Sequence, residues 1–241
     1  MQIDVFATAD DVKVEKIRGK VAIVIDAFRA TSTVITALWN GCKGVIPAYD
    51  IEQAKAKAIQ LPPGQYLLGG ERNAVMIEGF DLGNSPLEYR SKEIIGKYVI
   101  LTTTNGTKAL HHGSSASKVI TAGFLNGEAV VEHILKNSFQ DIVIICAGTE
   151  GNFSMEDILC AGKIINDLLN KTKDMQCNDL AVAAQNLYQN NKRDMEGLLR
   201  RTYHYNKLVS LGFKQDIDYC LQEDICPIIP LFANGVIVPA G

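Results

Sequence analysis

Short runs of β-branched and aliphatic residues recur along the chain, separated by stretches with helical spacing. Strands are predicted over QIDVF (2–6), KVAIVID (20–26), KGVIPA (43–48), QYLLG (65–69), KYVILTT (97–103), KVITAG (118–123) and DIVIICAG (141–148). Helices are predicted from Ser32 to Asn40, Ile51 to Ile59, Thr107 to His112, Asn126 to Lys136 and Met155 to Asn170. This alternation predicts a three-layer α/β/α fold around a largely parallel, mixed sheet. The runs from 20, 97 and 141 are apolar on consecutive residues, the pattern of strands covered on both faces. From about 176 to 223 the pattern is helical, with Leu180, Ala183, Ala184 and Leu187 on one face. The closing stretch CPIIPLFANGVIVPAG predicts an edge strand, because its prolines cannot donate to a ladder. With no linker or low-complexity tract, residues 1–241 read as one compact α/β unit, or two closely packed lobes.

Composition narrows the function classes. Apolar residues make up 47% and charged residues 21% of the 241, an ordinary globular balance. A net charge of -3 gives no footprint for nucleic acid or an anionic membrane, so any anion must be caught by a few local cations. The start MQIDVFATADD has neither the basic nor the apolar part of a signal peptide, and no run approaches a membrane helix. The expectation is a soluble protein of the cytoplasm, with its six scattered cysteines reduced. The four histidines lack zinc-ligand spacing.

Three apolar strands run into polar loops that open helices: VIVIDAFRATST, VILTTTNGT and VIICAGTEGNFSMED. In a parallel sheet such loops face one crevice at the carboxyl edge. Asp26 there needs a cation or hydrogen-bond donors. Arg29 follows, then Thr31, Ser32 and Thr33 at a helix start suited to an anion. The alternative is that Ser32 or Thr33 caps the helix and Asp26 pairs with Arg29. Thr103, Thr104, Asn105 and Gly106 form either an anion cradle or a turn, and no P-loop pattern is present. The glycine-rich stretch 69–89 brings Glu71 and Arg72, then Glu78, Asp81, Asn84 and Ser85, as functional groups or as solvated charges on a connection. Ser154 to Asp157 has the form of a capping box. Glu150 does not, and with Asp26 it suggests a shared divalent cation. Oxygen ligands without His or Cys spacing suit Mg²⁺, and a hard cation beside arginine and helix N–H groups suits phosphoryl transfer.

Taken in order, VIDAFRATST, GGERN with GFDLGNSP, TTTNGT, CAGTEG with EDILCAG, and the stretch from His204 to Pro230 resemble the 2-phosphosulfolactate phosphatase family of the coenzyme M route. The resemblance implies Mg²⁺-dependent hydrolysis of 2-phospho-3-sulfolactate to 3-sulfolactate and phosphate. Asp26 and Arg29 are then the catalytic candidates. Arg29, Arg72, Thr31 to Thr33 and Thr103 to Gly106 are candidates for the substrate's negative groups. Asp26, Glu71 and Glu150 are candidates for Mg²⁺. His204, followed by Tyr205 where the family pattern has glycine, is expected on a helix surface or as a cap. Water attack and an aspartyl-phosphate on Asp26 are both open, although the second aspartate of haloacid dehalogenase-type enzymes is Phe28 here. Two other readings compete: a phosphatase for other 2-phospho hydroxy acids, and a non-catalytic binder of sulfonates or dicarboxylates. The expected partner is a small anionic phosphate ester, and the expected assembly a homodimer.

Overall fold

The computed structural model describes residues 1–240. The strands are β1 (Gln2–Phe6), β2 (Val21–Ile25), β3 (Gly44–Pro47), β4 (Tyr66–Arg72), β5 (Val75–Met76), β6 (Tyr98–Thr102), β7 (Lys118–Ala122), β8 (Asp141–Cys146), β9 (Gln176–Cys177), β10 (Pro230–Ala233) and β11 (Val236–Pro239). The helices are α1 (Val14–Ile17), α2 (Ala30–Trp39), α3 (Ile51–Ile59), α4 (Gly106–Gly113), α5 (Gly127–Lys136), α6 (Met155–Lys171), α7 (Asp179–Asn191), α8 (Met195–Leu199), α9 (Tyr203–Ser210) and α10 (Lys214–Cys220). All strands join one sheet in the order β5-β4-β6-β3-β11-β10-β7-β2-β8-β1-β9.

Alternate residues of the central strands feed two cores. On one face Ile23, Ile25, Ile142 and Ile144 pack with Val130 and Ile134 of α5 and with Ile158, Ile164 and Leu168 of α6. On the other, Ala22, Val24, Val143 and Ile145 meet Val34 and Leu38 of α2 and Ala109 and Leu110 of α4. Every residue of β2 is buried, as its unbroken apolar run predicts. The result is the expected three-layer α/β/α arrangement with a mostly parallel sheet.

The last strands correct the sequence reading. The segment expected at an edge forms the hairpin β10–β11 in the middle of the sheet, antiparallel to β7 on one side and β3 on the other; residue 241 lies outside the described residues. Pro230 opens β10 and Pro239 closes β11, so the ring nitrogens sit at strand ends, where a missing donor costs the ladder little.

This insertion divides the parallel sheet into two sets, β4-β6-β3 and β7-β2-β8-β1-β9. Three successive antiparallel contacts make the sets run in opposite senses. The loops after β2, β6 and β8 therefore do not share one carboxyl edge of a single parallel sheet. Residues that follow β6 nonetheless line one pocket with residues that follow β2 and β8.

Candidate active site

A pocket of about 160 Å³ lies where the two sets meet. One contributes Asp26, Phe28 and Arg29 after β2, Thr149 and Glu150 after β8, and His204, Lys207 and Leu208 from α9. The other contributes Glu71, Asn73 and Ala74 from the β4–β5 hairpin, Asn84, and Thr103 to Asn105 after β6.

Asp26 is buried at the end of β2, and its Oδ1 accepts from the Ala30 N–H at 3.2 Å as α2 begins. Its Oδ2 has no protein partner among the described residues. Burial, helped by the charges of Glu71 and Glu156, raises the Asp26 pKa from 3.8 to about 6, against the opposite pull of His204 and the Ala30 N–H. Gly106 lets α4 begin directly beside this carboxylate. A Cβ there would stand 2.8 Å from Asp26 Oδ2 and 2.5 Å from the Ala30 methyl.

Asp157, in the first turn of α6, ties the strand exits together. Its Oδ1 accepts from Ala27 N–H at 2.8 Å, and its Oδ2 from Gly148 N–H at 3.0 Å. The expected capping box at Ser154 is therefore absent. Ser154 makes no side-chain cap bond and instead lies 2.6 Å from the Thr149 hydroxyl.

Arg29 is 2% exposed and does not pair with Asp26. Its Nη1 donates to Asp216 Oδ2 at 2.5 Å and its Nη2 to the Ala74 carbonyl at 2.8 Å, while the guanidinium lies 4.0 Å over the Phe213 ring. Ser85 donates to the other Asp216 oxygen. The arginine is thus immobilised at the pocket wall with donors left over.

The hydroxyls of Thr31, Ser32 and Thr33 turn away from the pocket. They donate to the carbonyls of Asp26, Ala27 and Asn84 respectively. Arg72 also lies outside the lining, with its guanidinium on the Glu71 carbonyl and the Thr102 hydroxyl. Thr104 faces Glu71, whose Oε1 accepts from both its N–H and its hydroxyl, while Oε2 accepts from Ala74 N–H. Thr103 braces α4, its Oγ1 accepting from Thr107 N–H at 3.2 Å. Asn105 Oδ1 accepts weakly from Glu150 N–H at 3.4 Å.

Sequence reasoning missed Lys207, read His204 as a surface or capping residue, and left Asn84 open between a functional group and a connection. His204 is neither surface nor cap: its Nδ1 lies 2.6 Å from Glu156 Oε1 and 3.2 Å from Thr149 Oγ1. Burial opposes the imidazolium, but the hydrogen bond and charge of Glu156, with Asp26, outweigh it and raise the His204 pKa. Lys207, one turn on, donates to Glu150 Oε1 at 2.7 Å. That contact raises the Lys207 pKa and lowers that of Glu150. Asn84 is buried at the wall with its Oδ1 unpartnered. A helical spacing of three between His204 and Lys207 was the available signal, since it sets both on one face.

The expected Mg²⁺ ligands divide. Asp26 offers a free oxygen to the pocket, with Glu71 close enough to raise its pKa. Glu71's oxygens already accept three protein hydrogen bonds, and Glu150 is exposed and paired with Lys207. Among the described residues no three His, Cys, Asp or Glu side chains form a metal-holding group. Asp26 and Glu71 suit a cation that takes one or two carboxylates and fills its remaining positions with water and phosphate oxygens.

An α/β frame gathers buried carboxylates, a locked arginine, a lysine and a histidine around one small cleft. The family model for 2-phosphosulpholactate phosphatase matches residues 6–235, and the chain belongs to that family. It is 43% identical over 238 residues to a probable 2-phosphosulfolactate phosphatase of Clostridium acetobutylicum, covering 99% of this chain and 100% of that one. A protein of the same description from Clostridium beijerinckii is 45% identical over 237 residues, covering 98% and 99% of the two chains. Another from Clostridium tetani is 44% identical over 239 residues.

Proposed function

We propose that this chain is a Mg²⁺-dependent phosphatase that hydrolyses 2-phospho-3-sulfolactate to 3-sulfolactate and phosphate. The observation that carries the proposal is the free Asp26 oxygen, held beside Arg29, Lys207 and the first turn of α4. Such a constellation serves an ester with several negative groups. Arg29 and Lys207 hold the carboxylate and sulfonate ends. The turn from Thr103 to Asn105, which leads into α4 beside Asp26, is proposed to receive the phosphoryl group. Asp26 and Glu71 would hold Mg²⁺, which would supply charge neutralisation for a phosphoryl group.

Water, oriented by Asp26, is the proposed nucleophile. Single turnover in ¹⁸O-water tests this: label in the product phosphate and none in Asp26 is expected, and label in Asp26 would replace water attack with an aspartyl-phosphate. The whole function is tested by phosphate release from 2-phospho-3-sulfolactate with and without Mg²⁺. Release with Mg²⁺ and its loss on chelation are expected. Binding of sulfolactate without any turnover would favour the non-catalytic binder. Faster turnover of another 2-phospho acid would reassign the substrate.

No helix of the described residues is long and apolar enough to cross a membrane. Six unpaired cysteines fit a reducing compartment, and we place the enzyme in the cytoplasm. A homodimer, the commonest closed assembly, is the proposed state, to be checked by light scattering.

A further inference from the structure

The pocket wall holds an acid–imidazole pair that the metal and the cations leave without a task. His204 Nδ1 is engaged by Glu156 at 2.6 Å and by Thr149 at 3.2 Å. Its Nε2 has no protein partner among the described residues, and the ring lines the pocket, packed against Phe28 at 6.4 Å between centroids. Glu156 is 1% exposed in the first turn of α6, and its second oxygen has no partner at all. A carboxylate buried at this cost for one contact fixes the ring by accepting from Nδ1–H and favours the imidazolium, whose second proton sits on Nε2, facing the cleft. The other charged groups around the ring are Asp26 after β2, Arg29 at the start of α2, Glu150 after β8, and Lys207 on its own helix.

We propose that His204 is the general acid of the reaction and Glu156 the residue that positions it. The inference rests on the phosphatase reading above. The phosphorus–ester oxygen bond breaks, and its electron pair stays on the organic oxygen. That oxygen takes the proton from His204 Nε2 and departs as an alcohol. The water oxygen bonds to phosphorus and sheds one proton, and an equivalent proton from solvent restores the imidazolium. A secondary alkoxide is a poor leaving group, so the proton transfer lowers the barrier directly.

The test compares wild type, His204→Asn and Glu156→Gln on two substrates in Mg²⁺ buffer: 2-phospho-3-sulfolactate and acetyl phosphate. Acetate departs without a proton. His204→Asn is expected to lose about 10²–10⁴-fold in kcat on the alkyl ester and little on acetyl phosphate. The retained acetyl phosphate activity also shows that the variant is folded. Glu156→Gln is expected to lose less, and to move the alkaline limb of its kcat/KM profile to lower pH. Equal losses on both substrates, or an unmoved limb, would overturn the assignment while leaving the phosphatase reading intact. A wild type inert toward both substrates would overturn both.

Discussion

Asp26 keeps an ionisable oxygen in a buried place that favours its neutral form. Replacing it therefore separates function from stability. Asp26→Asn is expected to abolish turnover and, without Mg²⁺, to stabilise the fold at pH 8 by about 3 kcal/mol, the worth of the shift from 3.8 to about 6. The folded state binds this proton more tightly than the unfolded state. The contribution is therefore favourable below about pH 4, is lost as pH rises through 6, and stays flat above. Paired wild-type and Asp26→Asn melting curves across pH 4–8 isolate it, and a constant difference would refute it. Arg29 behaves oppositely. Arg29→Ala strands Asp216 without its partner and is expected to cost about 3–5 kcal/mol in denaturant midpoints, besides about 2–4 kcal/mol of transition-state stabilisation. Asp26 and Arg29 were legible because a charge at the end of an apolar run has no bland place to go. The hydroxyls of Thr31 and Ser32 turn back to carbonyls five residues earlier and that of Thr33 crosses to the Asn84 carbonyl, and in sequence these look the same as hydroxyls facing a ligand.

At the scale of elements, the first turn of α6 acts as a clamp. Asp157 holds the ends of β2 and β8 side by side, and its neighbour Glu156 reaches across to α9. Asp157→Ala leaves two buried N–H groups unpaired and is expected to cost about 2–4 kcal/mol. Hydrogen exchange of the Ala27 and Gly148 amides reads the loss, and unchanged protection there would argue against the clamp. The sequence pattern SMED promised a cap, and the chain spends it on tertiary bonds instead. The helices and the strands β2, β6 and β8 were readable, because 3.6-residue and unbroken apolar patterns are local. Contacts of α9 were not readable, since Glu156 and Thr149 lie about fifty residues before His204.

For the whole molecule, the decisive element is the hairpin β10–β11. It joins two parallel sets that have no other ladder between them. Removing residues 227–241 is expected to give an unfolded or aggregated chain rather than one with a trimmed edge, as circular dichroism and size exclusion would show. A soluble, folded remainder would mean that each set stands alone. Its position escaped the sequence because proline marks where a ladder lacks a donor, and strand ends satisfy that as well as edges do. The hairpin leaves the ribosome after all nine strands that it joins. The ladder that ties the two halves of the sheet therefore closes only after every group of the cleft has been made, with the Arg29–Ala74 and Thr33–Asn84 bonds as further bridges across the cleft.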